Sequence, residues 1–235
     1  MNSSQLFRDK NENKKGLLFI IEGPDGVGKS TQVEKIKNLF DDIDVACSTY
    51  REPGGSSFGE KIRNILLSTE DDTKMSRLSE YFLHSAQRME LYTNSIIPDL
   101  KAGKIVILDR SYPSSFVYQC HFGKVPLNVY ETILKEVLQG YYHDRIFILT
   151  SSRKASDEDR ELDQMEKDTL KFQDVLKEGY AEFLHLYSEY HMGKETITFI
   201  NGDQPIEEVT KDIGVYLLED FRNWAKDKEG EEEEK

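Results

Sequence analysis

Gly23-Pro24-Asp25-Gly26-Val27-Gly28-Lys29-Ser30-Thr31 is the stretch on which the reading of this chain turns. It fits G-x-x-x-x-G-K-[ST], the pattern of a loop that holds phosphate groups with its backbone. The apolar run Leu17-Leu18-Phe19-Ile20-Ile21 precedes it, and a stretch with helical spacing follows. Glycines let the chain turn tightly and aim successive N–H groups inward. A helix starting near Gly28 adds its positive N-terminal end. In this setting Lys29 reaches the β- and γ-phosphates of a nucleotide and the Ser30 hydroxyl binds Mg2+. So short a pattern also arises by chance in a plain turn. The buried-strand run on one side and the helix on the other argue against that.

The 235 residues are enough for one sizeable α/β domain. With 37% hydrophobic and 32% charged residues, the composition is that of a soluble globular protein. Cys47 and Cys120 form no C-x-x-C and no metal spacing, which suits a reducing, cytoplasmic setting. The N-terminus is polar, and its apolar run is too short for a secretory signal and follows Lys14-Lys15. No run approaches transmembrane length, so no membrane partner is expected. The formal net charge is −13, which argues against general nucleic-acid binding, because phosphate neutralisation needs clustered Lys and Arg. Part of that charge lies in Asp227, Glu229 and Glu231-Glu232-Glu233-Glu234. Residues 226–235 therefore read as a solvated, disordered tail.

Residues 1–15 are polar and expected to fray, leaving 16–225 as a single domain. Strands are expected at Leu17–Glu22, Asp44–Tyr50, Ile105–Asp109, Arg145–Thr150 and Thr196–Ile200. Helical spacing covers Lys29–Phe40, Phe58–Leu67, Met75 to about Lys101, Ser114–Phe122, Asn128–Leu138, Met165–Tyr190 and Ile206–Trp224. Within these, Leu39, Ile65, Leu78 and Phe82 belong to the apolar stripes, and Pro98 is a candidate kink. The charged stretch from Ser151 to about Gln164 reads as a short lid. Strands alternating with helices give βαβ units: an α/β fold with a five-stranded parallel sheet flanked by helices. Ligands bind such sheets outside the carboxyl ends of the strands.

The apolar strand ending in Asp109 supplies a carboxylate that can hold a Mg2+-bound water opposite Ser30. Arg110 follows, and then Ser114, Ser115, Tyr118 and Gln119, which can share a helix face. Hydroxyl, phenol and amide groups beside an arginine suit a sugar and a base edge next to a phosphate. A solvated face capped by Ser114 is the bland alternative. His84 and Arg88 are four apart on a largely apolar helix, where an arginine needs an anion or a carboxylate such as Glu52. Arg51, Arg63, Arg88 and Arg110 thus flank the mouth of an acidic protein. One monophosphate bound beside a triphosphate would explain several of them.

In this respect the chain resembles the thymidylate kinases, which phosphorylate dTMP with ATP. The resemblance runs from about Leu17 to Tyr190. It rests on the glycine loop from Ile20 to Gln32, on Arg51-Glu52-Pro53-Gly54-Gly55, on Ser85-Ala86-Gln87-Arg88, on Asp109-Arg110 with Ser114, Ser115, Tyr118 and Gln119, and on Glu161-Leu162-Asp163 leading to Tyr180. It implies the P-loop NTPase type of sheet, with ATP on Gly23 to Thr31 and Mg2+ at Ser30 and Asp109. Asp25 would touch the dTMP sugar hydroxyl or the metal region. Arg51 or Glu52, together with Arg110, would position the 5′-phosphate, and Arg63 would line its pocket. Arg88 and Gln119 would face the thymine, with Ser115 and Tyr118 near base and sugar. Tyr118 under the deoxyribose would disfavour a 2′-hydroxyl, and Tyr180 would close over the nucleoside. The resemblance also implies a homodimer whose contact face lies away from the site.

Three departures stand out. The family commonly has Phe where this chain has His84, and Arg after Glu-Leu-Asp where this chain has Gln164. The lid also reads as shorter. Since Gly26-Val27 carries no arginine, Arg153 or Arg160 is the expected lid contribution to catalysis, beside Asp25, Lys29 and Arg110. His84 in place of Phe leads to the expectation that dUMP is accepted alongside dTMP. A broader deoxynucleoside monophosphate kinase and a non-kinase P-loop ATPase are the alternatives. No Asn-Lys-x-Asp guanine reader is present.

Overall fold

The run that leads into the glycine loop becomes the centre of a sheet. In the computed structural model, which describes residues 14–68, 75–152, 173–188 and 196–233, strand β1 is Leu18–Glu22. It pairs in parallel with β3 (Ile105–Asp109) on one side and β4 (Arg145–Thr150) on the other. β2 (Cys47–Arg51) joins β3, and β5 (Ile197–Asn201) joins β4, giving the order β2-β3-β1-β4-β5. β1 is buried throughout. Alternate side chains enter two cores, as a strand buried on both faces requires. Leu18, Ile20, Val106, Leu108, Ile146 and Ile148 enter one; Phe19, Ile21, Ile105, Ile107, Phe147 and Leu149 enter the other.

The second core is closed by α1 (Lys29–Asp41) and by the last helix, through Val33, Ile36, Phe40, Val209, Ile213 and Leu217. The first is closed by a larger layer. It contains α2 (Ser57–Leu67), α3 (Arg77–Leu91), a π-helical turn Tyr92–Ile96 and α4 (Ile97–Lys101). After β3 come α5 (Tyr112–Ser115), a π-helical stretch Phe116–Phe122, and α6 (Leu127–Leu138). α7 (Gln173–Ser188) precedes β5, and α8 (Ile206–Glu233) ends the described chain.

Several expected boundaries move. β2 starts at Cys47 rather than Asp44, because Asp44 has φ 57° and turns the chain out of α1. The helical region from Met75 begins at Arg77, capped by Ser76, whose hydroxyl accepts the Ser79 N–H at 3.1 Å. It carries no break at Pro98. The π-helical turn just before it widens the backbone where proline lacks an N–H and crowds the preceding turn. The helix expected from Ser114 starts at Tyr112. α8 runs through Glu233, beyond the tail boundary expected at residue 226. Lys14 and Lys15, expected to fray, are anchored: Lys14 pairs with Asp144, and the Lys15 N–H reaches the Leu100 carbonyl at 3.1 Å.

Leu39, Ile65, Leu78 and Phe82 are exposed although they belong to apolar stripes. A helical period identifies a stripe but not whether the chain's own core covers it. Most of the expected lid lies outside the described residues. Its first two positions are held by Asp203, which accepts from the Ser151 hydroxyl at 2.6 Å and the Ser152 N–H at 2.7 Å.

Candidate functional site

The carboxyl ends of β1, β2 and β3 converge beneath one cleft, and each strand ends in a charged residue: Glu22, Arg51 and Asp109. The loop after β1 turns through Gly23 (φ 138°), Gly26 (φ 77°) and Gly28 (φ 94°), and Gly28 caps α1. Lys29, 7% exposed, folds back over the loop, its Nζ donating to the Pro24 carbonyl at 2.6 Å and lying 3.5 Å from Asp25. Burial, reinforced by the nearby Arg110, pulls the Lys29 ammonium down to about 8.

Ser30 Oγ donates to Asp109 Oδ2 at 2.5 Å, joining the start of α1 to the end of β3. These are hard oxygen donors. Magnesium is commonly held by one or two protein oxygens, phosphates and water rather than by a full protein cage. Among the described residues no group of His, Cys, Asp or Glu could hold a metal by itself. The pair therefore fits an ion that arrives with a nucleotide.

Arg110 stands between this loop and the second half of the cleft. Its own backbone is left-handed, at φ 65°. One guanidinium nitrogen donates to Asp25 at 2.6 Å, another to the Ser114 hydroxyl at 3.1 Å, and the group lies over the Tyr118 ring. Burial alone would raise the Asp25 carboxyl. Arg110, helped by Lys29, more than reverses this and holds it well below the usual carboxylate range.

Two buried carboxylates brace the cleft from behind. Glu22 accepts from the Ser111 N–H at 2.9 Å, the Ser114 N–H at 3.2 Å, the Ser114 hydroxyl at 2.7 Å and the Tyr180 hydroxyl at 2.9 Å. Glu52 accepts from Arg88 Nε at 2.6 Å, Gln87 Nε2 at 3.0 Å and the Ser111 hydroxyl at 2.9 Å. Burial raises the Glu52 carboxyl, opposed by Arg88. Arg88, only 1% exposed, also donates to Ser115 Oγ at 3.0 Å.

The resulting cleft has a volume of about 190 Å³. Asp25, Arg63, Arg110, His84, Arg88, Gln119, Ser115 and Tyr118 are among the residues that line it. Arg88 Nη1, both amide atoms of Gln119 and His84 Nε2, all on residues that line the cleft, are buried without a hydrogen-bond partner. Burial, together with Arg88 and Arg110, pulls the His84 imidazole down to about 3, so it is neutral.

The family model for thymidylate kinase matches residues 21–213. The chain belongs to the thymidylate kinase family. The thymidylate kinase of Clostridium novyi (strain NT) is 29% identical over 209 residues, 86% of this chain and 98% of its own. That of Chlorobium phaeobacteroides (strain DSM 266 / SMG 266 / 2430) is 36% identical over 191 residues, 76% of this chain and 85% of its own. The solved thymidylate kinase of Ehrlichia chaffeensis shares the fold with a TM-score of 0.68 at 22% identity, covering 86% of this chain and 98% of that one. The chain is thus an enzyme, a nucleotide kinase of this family.

Within this thymidylate kinase frame the structure gathers most of the residues singled out in the sequence, but not all. Asp25, Glu52, Arg63, His84, Arg88, Arg110, Ser114, Ser115, Tyr118 and Gln119 share the cleft. Arg51 does not line it: its side chain is exposed and paired with Glu60 at 2.9 Å. Nor does Tyr180, whose hydroxyl is turned to Glu22. Glu52 is a carboxylate locked on Arg88, which is unsuited to gripping a phosphate. That leaves Arg110, bonded to Asp25, and Arg63 as cleft-lining arginines not locked on Glu52. Arg63 donates to the Pro53 carbonyl at 2.8 Å. Arg153 and Arg160 lie outside the described residues. Pro53, Leu67 and Ser111 line the cleft without having been named from the sequence as site residues, and Glu22 and Gln87 brace it from behind. The signal for Glu22 was present: a carboxylate closing an otherwise wholly apolar strand must have a purpose-built set of donors.

Proposed function

We propose that this thymidylate kinase transfers a phosphoryl group from ATP, with Mg2+, to dTMP, forming dTDP for dTTP synthesis. The observation that carries the reading is the set of partnerless atoms on two residues that line the cleft: Arg88 Nη1 and the Gln119 amide pair. Together they offer two donors and one acceptor. The pairing edge of thymine or uracil offers the complement, O2 and O4 as acceptors and N3–H as donor. Cytosine, with an acceptor at N3 and a donor at N4, leaves a mismatch.

The chemistry asked of the protein is placement and charge. Bound with the nucleotide, Mg2+ would offset charge on the β- and γ-phosphate oxygens. The loop N–H groups and Lys29 hold the donor phosphates, and Ser30 with Asp109 holds the ion's site. Arg110, fixed by Asp25 and Ser114, would meet the acceptor phosphate, and Arg63 lines the same cleft. The nucleophile is a phosphate oxygen, already ionised at neutral pH, so no strong general base is needed. One of Arg153 and Arg160 neutralises charge on the transferred group.

The same reading makes the enzyme a cytoplasmic homodimer. Exposed Phe58, Ile65, Leu78 and Phe82 on α2 and α3 suit a face covered by a second copy. Among the described residues no helix is long and apolar enough to cross a membrane.

A coupled assay offering ATP with each deoxynucleoside monophosphate tests the reading. dTMP and dUMP are expected to be phosphorylated, with dCMP and purine nucleotides turned over poorly. In the same assay Arg153→Ala or Arg160→Ala should lower kcat sharply, with the KM for ATP changed less. Equal rates with dCMP would favour the broader kinase, and ATP hydrolysis without transfer would favour the ATPase.

A further inference from the structure

Glu22 closes β1, is fully buried and does not line the cleft, so any effect it has on a substrate must pass through other groups. Its two carboxyl oxygens are used differently. Oε1 accepts from two backbone groups, the Ser111 N–H at 2.9 Å and the Ser114 N–H at 3.2 Å. Oε2 accepts from two hydroxyls, that of Ser114 at 2.7 Å and that of Tyr180 at 2.9 Å. A serine hydroxyl carries one proton. That of Ser114 is committed to Glu22, so its oxygen faces Arg110 as an acceptor and takes Nη1 at 3.1 Å. The other guanidinium nitrogen, Nη2, donates to Asp25 at 2.6 Å. A guanidinium is a rigid planar fork, so holding it at both Nη atoms fixes its plane. Glu22 itself lies 3.8 Å from Arg110 Nη1, too far for a hydrogen bond. Its directional hold on Arg110 therefore runs through the Ser114 hydroxyl.

We propose that Glu22 is the positioning residue for Arg110: through the Ser114 hydroxyl it sets the plane in which the guanidinium meets the acceptor phosphate. This rests on the reading of Arg110 as a cation for that phosphate. What Glu22 supplies is polarity, and replacing one oxygen by nitrogen reverses it. The Ser111 and Ser114 backbone N–H groups can only donate, so in Glu22→Gln the amide oxygen must take the place of Oε1 and the NH2 group that of Oε2. The two hydroxyls that donated to Oε2 then meet a donor. Ser114 can no longer give its proton to residue 22 while offering its lone pair to Arg110. Protons outnumber acceptors in this small buried network, and Arg110 loses the fixed acceptor at Nη1. Side-chain shape is kept, so packing is not the variable.

The test is steady-state kinetics with ATP and dTMP for wild type, Glu22→Gln, Ser114→Ala and the double variant, with urea unfolding of each. In Glu22→Gln, kcat/KM for dTMP should fall by about tenfold or more, while the KM for ATP changes by less than about twofold. In the Ser114→Ala background the same substitution should cost little more, because the link to Arg110 is already cut. Losses that simply multiply would show that Glu22 acts elsewhere than on Arg110, and would overturn the proposal. So would a loss of stability with kcat/KM for dTMP unchanged, which is what a merely structural carboxylate predicts. If Glu22→Gln does not fold, Ser114→Ala decides alone: it should lose kcat/KM for dTMP with the KM for ATP held, and normal dTMP kinetics would overturn the proposal. A wild type that phosphorylates no dTMP would instead remove the acceptor-site reading beneath it.

Discussion

Lys29, which the proposed function sets against the donor phosphates, is buried at a cost in stability. Its ammonium is buried against the loop beside Arg110, and its pKa drops from 10.5 to about 8. Below about 8 both folded and unfolded chains hold the proton, and burying the charge costs stability. Between about 8 and 10.5 the unfolded chain keeps a proton that the folded chain has shed. The unfolded state binds more protons there, so raising the pH relieves the cost. Lys29→Met should therefore be more stable than wild type at pH 7, by about 1–3 kcal/mol in urea unfolding. The gap should narrow as pH rises through that window. The same variant should lose about 10²-fold or more in kcat, as when a preorganised charge is removed. Near-normal turnover would sink the phosphate-loop assignment. Lys29 was legible in the sequence because its partners are its own chain neighbours. The pairing of Glu52 with Arg88 was legible only as one candidate among several, since nothing local states which carboxylate a buried arginine meets.

At the scale of the element, the strand–loop–helix unit depends on glycines for two different reasons. Gly28 (φ 94°) has open space around the position a Cβ would take, so only the left-handed backbone argues for glycine. At Gly23 (φ 138°) a Cβ would also lie 2.3 Å from the Leu149 carbonyl oxygen of the neighbouring strand. Gly28→Ala should cost about 1–2 kcal/mol of stability. Gly23→Ala should cost distinctly more, about 3 kcal/mol or above, because strand β4 must also shift. Equal costs in urea unfolding would show that backbone strain alone sets both positions. The π-helical segments are the elements the sequence did not disclose. Residues 114, 115, 118 and 119 were grouped by ordinary helical spacing, and all four do reach the cleft. They do so on a stretch that is π-helical from Phe116 onward. A hydrophobic period of about 3.6 cannot register a single wider turn.

At the scale of the molecule, the end of the sheet opposite the cleft is tied to both ends of the described chain. Arg145, at the start of β4, donates to Asp220 of α8 through Nε at 2.5 Å and Nη2 at 2.9 Å. It also lies over the Tyr216 ring, 5.1 Å from its centroid. Trp224 of α8 donates to the Lys15 carbonyl at 2.7 Å, and Asp144 takes both Lys14 and, at 2.7 Å, the Leu18 N–H. Asp220→Ala would leave a largely buried guanidinium without its carboxylate. It should lower stability by about 2–3 kcal/mol in urea unfolding, and Asp220→Asn by less. The KM for dTMP should hold, because the site lies at the other end of the strands. A change in KM larger than the change in stability would show that the two ends of the sheet are coupled.

By itself the sequence determined the parallel α/β sheet, the glycine-rich turn between β1 and α1 and most of the cleft-lining residues. These follow from apolar runs, from period and from contiguous motifs, which act over a few residues. Tertiary structure decided which charges meet across the fold: Glu22 with Ser111, Ser114 and Tyr180, Glu52 with Arg88, and Arg51 with Glu60 outside the cleft rather than on a phosphate. It also decided that His84, Arg88 and Gln119 keep polar atoms buried without partners. Burial and pairing depend on distances between segments far apart in the chain. The energy of a buried charge or amide is set there, and no local pattern encodes it.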